Sequence, residues 1–166
     1  MDYIRELRQY IGHRPILMVG AAILVVDAQG RLLLMKRSDS GCWGPPGGAT
    51  ELGEIVEDAA KRETLEETGL EVGEMSLFGV FSGPELYYQY PNGDEVYNVT
   101  IVYLSRDFKR GSNGPGSGDP RQTERQAATE VRLDHEHTEF RWFALDEIPE
   151  NISPPMIPTI EKFKRQ

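Results

Sequence analysis

The sequence of 166 residues predicts an α+β domain or an α/β/α sandwich. Apolar, strand-like runs lie before residue 40 and again after residue 76. A strongly acidic helical segment separates them, and a short helix with three proline residues near its start closes the chain. This order of elements favours strands covered by helices, but hydrophobic periodicity leaves the pairing of the strands open.

The first strands are predicted from apolar content. Residues 16–27 are apolar, rich in β-branched side chains and long enough for a central strand. Residues 31–37 form a second apolar run after a turn at residues 28–30, so we predict that the two strands form a hairpin.

Later elements follow the same reasoning. Asn92-Gly93 lies between two β-rich runs, which is a strong hairpin signal. Apolar runs predict strands over residues 77–81, 96–104 and 140–144, and a final helix covers residues 156–164. Residues 1–14 are predicted to be a helical extension that covers the core edge, with a homodimer contact as the alternative.

Composition limits the domain organisation and the partners. The length predicts one domain, residues 1–166, in which the Gly-, Ser- and Pro-rich part of residues 109–134 is a flexible surface loop. The net charge of −9 argues against broad contact with a nucleic acid backbone or an anionic membrane. Cys42 is the sole cysteine, which excludes an internal disulfide and fits a reducing cytoplasm. No signal peptide or transmembrane run is expected.

One helical face in the acidic segment carries three carboxylates. Glu63, Glu66 and Glu67 are spaced i, i+3, i+4 within a helix predicted over residues 55–68. Like charges at this spacing repel each other, so a helix kept only for stability would avoid them. A hard divalent cation such as Mg²⁺ removes the conflict, because it prefers carboxylate oxygens. The pattern therefore predicts a metal site.

Residues 48–70, GATELGEIVEDAAKRETLEETGL, resemble the Nudix box of the MutT-like Nudix hydrolases, G-x5-E-x7-R-E-U-x-E-E-x-G-U with U aliphatic. The matching positions are Gly48, Glu54, Arg62, Glu63, Glu66, Glu67, Gly69 and Leu70. Thr64 departs from the usual aliphatic residue, but it is close to valine in shape. A purely acidic, solvated helix would not require the two glycines and the arginine as well.

The resemblance implies a fold and a chemistry. The fold is a Nudix-type α/β/α sandwich with a mixed β-sheet and a loop–helix–loop catalytic motif. The activity is hydrolysis of a diphosphate linkage with Mg²⁺, or Mn²⁺ as a substitute. The resemblance gives catalytic roles to Glu54, Arg62, Glu63, Glu66 and Glu67, and metal-ligand roles to the carboxylates of Glu63, Glu66, Glu67 and Glu139. It also implies that a carbonyl of the Gly47-Gly48 pair reaches the metal, for which we take Gly48, and Glu136 is the alternative to Glu139 as the extra acid. Arg62 is expected to orient a glutamate through a charge-assisted bond.

The substrate-binding candidates each have a structural alternative. Arg37 is a candidate phosphate contact or a solvated strand end. Trp43, Tyr87 and Tyr88 could stack on a base or serve in packing. His135 and His137 are spaced as metal ligands could be, but with no cysteine beside them we predict a solvated loop.

The expected substrate is a small-molecule nucleotide, a nucleoside diphosphate joined to a group X, in a cytoplasmic protein. ADP-ribose, a nucleotide sugar, a dinucleoside polyphosphate and a modified nucleoside triphosphate are all candidates. Pro84 lies where ADP-ribose hydrolases of the family carry a proline, and Tyr87 lies where dinucleoside polyphosphate hydrolases carry a tyrosine. The alternatives are a ligand-sensing Nudix module without turnover and an isomerase of an isoprenoid diphosphate, for which Cys42 is a weak candidate.

Overall fold

The computed structural model describes residues 3–110 and 131–165 of the chain. Its helices are α1 (Tyr3–Ile11), α2 (Val56–Thr68) and α3 (Ile157–Lys164). Its strands are β1 (Ile16–Val25), β2 (Leu32–Arg37), β3 (Trp43–Gly44), β4 (Gly47–Ala49), β5 (Leu70–Val72), β6 (Ser76–Phe81), β7 (Tyr87–Gln89), β8 (Glu95–Ser105), β9 (Phe108–Arg110) and β10 (His137–Phe143). Short 3₁₀ turns span Pro84–Leu86, Leu145–Glu147 and Pro154–Met156.

The main sheet is mixed and has five strands. Its order is β4-β1-β8-β6, and β7 also pairs with β8. Strands β1 and β8 run parallel along ten residue pairs, from Ile16 with Val96 to Val25 with Ser105. The other pairings in this sheet are antiparallel. The mixed sheet and the helices on it confirm the predicted α/β/α sandwich.

The predicted hairpin of residues 16–27 and 31–37 is wrong. Strand β1 pairs with β4 on one edge and β8 on the other, so both of its edges are occupied. Strand β2 belongs to a second, antiparallel sheet of order β10-β2-β3. A single bridge between Val26 and Leu32 is what joins the two runs at their turn. Asp27 forms this turn by accepting the backbone N–H groups of Gln29 and Arg31.

Strand β1 separates two hydrophobic cores. Ile23 and Val25 pack with Ala59 and Ala60 of α2. Leu24 and Val26 face the other way, into a core closed by Ile160 and Phe163 of α3 and by Phe78, Trp43 and Phe143. Both faces of residues 23–26 are fully buried. The alternation of side chains along an extended strand therefore accounts for the sandwich.

Helix α2 agrees with its prediction to within one residue at its start. Gly69 ends it in the left-handed conformation, with φ 71°, and its N–H donates to the Leu65 carbonyl. Thr64 is fully buried, and its hydroxyl donates to the Ala60 carbonyl at 2.8 Å. The departure from an aliphatic residue at this position therefore leaves no unsatisfied polar atom.

The remaining predictions differ mainly at element boundaries. The hairpin through Asn92-Gly93 is confirmed by the pairing of β7 with β8, and the helix near the start of the chain is α1. Within the range 109–134 predicted as a loop, Lys109 and Arg110 instead belong to β9, and Val131 is buried in the core. Residues 111–130 lie outside the described residues.

Two further sequence predictions stay predictions. None of the helices in residues 3–110 and 131–165 combines the length and apolar character needed to cross a membrane. This finding tests neither the cytoplasmic location expected from the sequence nor the homodimer contact that was its alternative for residues 1–14.

Candidate active site

Arg62 of α2 donates hydrogen bonds to three carboxylates of the acidic cluster. Its Nε and Nη2 donate to the two carboxylate oxygens of Glu54 at 2.7 and 2.9 Å. Its Nη1 donates to Glu63 at 2.7 Å and to Glu66 at 3.3 Å. These bonds lower the pKa of Glu54 to about 2 and raise the pKa of Arg62 itself. The predicted role of Arg62, orienting glutamates instead of contacting substrate, agrees with this geometry.

Glu67 is the buried carboxylate of the cluster, with 6% of its surface exposed. Its Oε2 accepts the backbone N–H of Gly47 at 2.8 Å. Burial raises the pKa of Glu67 to about 8, although the bond from Gly47 opposes the shift, and the nearby charges of Glu63, Asp134 and Glu136 raise the pKa further. A buried acid surrounded by other acids is the environment that a bound cation would relieve.

The register of β4 decides which glycine carbonyl faces this cluster. The Ile23 N–H donates to the Pro46 carbonyl and the Thr50 N–H donates to the Val19 carbonyl, while Ala21 pairs with Gly48. Hydrogen-bonded pairs alternate along an antiparallel ladder, so Gly48 directs its polar groups at β1. Those of Gly47 point toward Glu67. The metal-ligand prediction for the Gly48 carbonyl therefore moves to Gly47.

Gly48 instead leaves space for a glutamate. A Cβ atom at Gly48 would lie 2.6–2.7 Å from the carboxyl carbon and oxygens of Glu63, so a larger residue would displace that side chain. Burial raises the pKa of Glu63, opposed by its bond from Arg62. Glu66 is the outermost of the three acids, with 58% of its side chain exposed. The three carboxylates thus share one helical face but differ strongly in burial.

A histidine completes the buried group, and Glu139 does not. His137 Nδ1 lies 2.8 Å from Asp134 Oδ1, and His137 Nε2 lies 3.8 Å from Glu67 Oε1. Glu139 instead accepts a bond from Arg141 at 2.6 Å, beyond an irregularity in β10 between residues 137 and 139. The prediction of a solvated loop is wrong for His137, which is buried, but holds for exposed His135.

The sequence contained one weak indication that His137 is buried, namely the strand that follows it. The strand prediction over residues 140–144 began too late, since β10 starts at His137. Extending the strand by three residues would have placed His137 opposite Arg37, its partner in the register with β2. Asp134 carries no periodic signal, because it lies in the irregular stretch before the strand.

Arg37, Tyr88 and Tyr90 form a second group near the acids. Arg37 donates two bonds to Asp39, at 2.9 and 2.8 Å. The rings of Tyr88 and Tyr90 meet edge to face at 4.9 Å between centroids. Burial raises the pKa of Tyr90, and the charge of Arg37 opposes that shift. The negative charge of Glu136 also contributes to raising the pKa of Arg37, Tyr90, Glu63 and Glu67. Glu136 is therefore close enough to both this group and the acidic cluster to influence their charges.

Two of the candidate substrate contacts, Trp43 and Tyr87, have packing partners. Trp43 is 6% exposed, and its ring packs edge to face on Phe143 at 5.1 Å. Tyr87 lies 5.2 Å from its cross-strand partner Tyr97, and its hydroxyl donates to Glu95 at 2.8 Å. Cross-strand aromatic packing, the alternative considered from the sequence, accounts for Tyr87. Tyr88 points to the opposite face of β7, as neighbouring strand residues do.

The residues present suit a divalent cation. The donor set is made of carboxylate and carbonyl oxygens from Glu63, Glu66, Glu67 and Gly47, which are the ligands of Mg²⁺ and Mn²⁺. Burial raises the pKa of Glu67, and among the described residues no arginine or lysine side chain forms an ion pair with its carboxylate. Arg62 neutralises the outer acids and leaves Glu67 to an added ion.

Comparisons with known proteins agree with this geometry. The family model described as the NUDIX domain matches residues 16–163. An ADP-ribose pyrophosphatase of Methanocaldococcus jannaschii is 44% identical over 93 residues, which are 54% of this chain and 53% of that protein. An oxidized purine nucleoside triphosphate hydrolase of Mus musculus is 33% identical over 129 residues, 76% of this chain and 66% of that one.

The fold gives an independent comparison. The crystal structure of a MutT NUDIX hydrolase from Burkholderia pseudomallei superposes with a TM-score of 0.64 and 30% identity, covering 89% of this chain and 98% of that one. The chain spans about half the length of several curated relatives that it matches. The family match covers most of the chain, including the sandwich and the acidic helix, and the protein therefore belongs to the Nudix family.

Proposed function

We propose that this protein hydrolyses a phosphoric anhydride bond in a nucleoside diphosphate derivative, with the help of a divalent cation. The observation that carries the proposal is the buried carboxylate of Glu67, which accepts the N–H of Gly47 and shares a helical face with Glu63 and Glu66. A charge so placed destabilises the protein unless it serves a bound cation. Divalent ions suit this position because the neighbouring ligands are oxygens.

The residues of the box divide the work between holding and orienting. Glu63, Glu66 and Glu67 would hold the cation with the carbonyl of Gly47. Arg62 fixes Glu63 and Glu54 through bonds of 2.7–2.9 Å. The N–H of Gly47 orients Glu67. When bound, the cation supplies charge neutralisation for the diphosphate and makes a coordinated water more acidic.

The second group supports a nucleotide as the substrate. Arg37 offers a cation, and Tyr88 offers a half-buried ring beside it. Aromatic rings stack on any base, and guanidinium groups bind phosphate. Two of the relatives are an ADP-ribose pyrophosphatase and an oxidized purine nucleoside triphosphate hydrolase, and these names support the same class of substrate. Pro84 begins a 3₁₀ turn and Tyr87 packs on Tyr97, so each residue also has a structural reason for its position, and the proposal leaves the group X open.

The two other functions considered from the sequence have weaker support. A sensing module without turnover would not need the complete set of box carboxylates, of which Arg62 here binds all but Glu67. An isomerase of the kind considered would need a cysteine paired with an acid in the cleft. The thiol of Cys42 donates to the Ser40 carbonyl at 3.9 Å.

The test is nucleotide or phosphate release from a panel of candidate substrates. The panel contains nucleoside triphosphates, an oxidised purine triphosphate, ADP-ribose, nucleotide sugars and dinucleoside polyphosphates, first with Mg²⁺ and then with Mn²⁺. We expect turnover of one class, its loss in Glu67→Gln, and its retention in Asp58→Asn, which changes an exposed acid on the same helix. A folded protein that binds nucleotide but releases no product from any member would contradict the proposal.

A further inference from the structure

His137 is held between two carboxylates from different elements. It begins β10, whereas Glu67 lies in the last turn of α2 and Asp134 precedes the strand. The ring is buried, with 5% of its side chain exposed, and Glu67 is similarly enclosed at 8%. One ligand atom from each of the three residues lies within 4.8 Å of the others. This group lies partly outside the box, because Asp134 and His137 come from the far end of the chain.

The two ring nitrogens have different surroundings. Nδ1 lies 2.8 Å from Asp134 Oδ1, a normal hydrogen bond in which the imidazole donates. A carboxylate oxygen accepts this bond, so the Nδ1 proton is committed to Asp134, and Nε2 is the ring nitrogen that faces Glu67. A carboxylate that binds one nitrogen while the other faces outward is the arrangement found behind metal-binding histidines.

The gap between His137 and Glu67 also suits an ion. Nε2 and Oε1 are 3.8 Å apart, which is too long for a hydrogen bond. Two ligand atoms on one ion at about 2.1 Å each lie about 3–3.5 Å apart, so closure by a few tenths of an ångström would suffice. Glu67 is already oriented by the N–H of Gly47, so its position does not depend on His137.

We propose that Glu67 and His137 bind the same divalent ion, that Asp134 orients the imidazole, and that this centre therefore binds Mn²⁺ or Co²⁺ more tightly than Mg²⁺. The reason is the nitrogen ligand. Imidazole suits first-row transition metals, whereas Mg²⁺ prefers oxygen and gives up its waters reluctantly. This inference rests on the proposed function, because Glu67 is a ligand in both.

The test is metal binding to the full chain without substrate. Pulsed electron paramagnetic resonance on bound Mn²⁺ reports directly whether a histidine nitrogen is a ligand, and calorimetry gives the affinities for Mn²⁺ and Mg²⁺. The main variant is His137→Asn, which keeps an N–H for Asp134 but removes Nε2. The matched control is His135→Asn, an exposed histidine two residues away.

We expect nitrogen coupling in the wild type and in the His135 variant, and its loss in His137→Asn. Affinity for Mn²⁺ should fall about 10–100-fold in that variant, while affinity for Mg²⁺ changes less than about threefold. Asp134→Ala removes the oxygen that accepts the bond from Nδ1 but keeps the imidazole, so it should weaken Mn²⁺ binding about 10-fold with the coupling still present. This second variant keeps the test informative if His137→Asn is unstable.

Failure of this inference differs from failure of the proposed function. If the protein hydrolyses its substrate with Mg²⁺ but bound Mn²⁺ shows no nitrogen coupling, His137 does not share the ion with Glu67, and the proposed hydrolase activity still stands. Nitrogen coupling that His137→Asn removes, in a protein that hydrolyses nothing, would support the shared ion and contradict the enzyme. Equal losses of Mg²⁺ and Mn²⁺ affinity in His137→Asn would also overturn the inference.

Discussion

Replacing Glu67 with glutamine should stabilise the protein in the absence of metal. The carboxylate is buried among Glu63, Asp134 and Glu136, and its pKa rises from 4.5 to about 8. Glutamine has nearly the same shape, and its carbonyl can still accept the N–H of Gly47. The change removes the cost of ionising a buried acid without opening a cavity.

The sign and size of the effect follow from the pKa. Because the folded pKa lies above the unfolded value, the stabilising effect of the neutral acid is complete below pH 4.5 and is lost as the pH rises toward 8. At pH 7 the loss is about 3 kcal/mol, from 1.4 kcal/mol for each pH unit above 4.5. Glutamine does not titrate, so the variant escapes this loss.

The assay is urea unfolding at pH 5, 6, 7 and 8 with a chelator present. The free energy of unfolding of Glu67→Gln should exceed that of the wild type by an amount that grows with pH. Glu66→Gln is the matched control, because the Glu66 side chain is 58% exposed on the same helix, and its difference from the wild type should stay flat. Addition of Mg²⁺ should stabilise the wild type most at pH 8 and should close the gap.

A gap between Glu67→Gln and the wild type that is the same at pH 5 and pH 8 would refute the reasoning. So would a variant that is less stable than the wild type throughout this range in the chelator. Either result would mean that Glu67 is ionised at little cost, and the central argument for a cation site would fail.

Three further predictions concern single side chains. Arg62→Lys cannot reproduce the paired bonds to Glu54. Steady-state kinetics should therefore show kcat/KM at least about 10-fold lower, and urea unfolding a free energy of unfolding about 1–3 kcal/mol lower. An unchanged kcat/KM would contradict the orienting role. Tyr88→Ala should raise KM for a nucleotide substrate several-fold, whereas Tyr87→Ala should change it less than about twofold, because the two rings lie on opposite faces of β7. Equal effects of the two variants on KM would contradict a stacking role for Tyr88 alone. Gly47→Ala should lower the free energy of unfolding by more than about 3 kcal/mol in thermal or urea unfolding, because its Cβ would lie 2.4 Å from the Ala21 carbonyl oxygen, and a near-wild-type value would show that β4 can shift.

Much of the local structure could be predicted from the chain. Helix α2 follows from its pattern and from the terminating Gly69, and the hairpin of β7 and β8 follows from Asn92-Gly93. Spacing along one helix also identified the carboxylates of Glu63, Glu66 and Glu67, whereas Glu54 was expected from the resemblance to the Nudix box and the orienting role of Arg62 from the acids around it. These features depend on residues close in sequence, where backbone conformation and the i, i+4 geometry determine the contacts.

Tertiary structure decided the rest of the site. The choice of Gly47 over Gly48 depends on the register of β4 against β1, and the burial of His137 depends on the pairing of β10 with β2. The predicted hairpin of β1 and β2 was wrong for the same reason, since β1 pairs with residues 25–29 positions away in β4 and 80 positions away in β8. Strand partners are selected by burial and by competition for edges across the whole molecule, which local sequence patterns do not record.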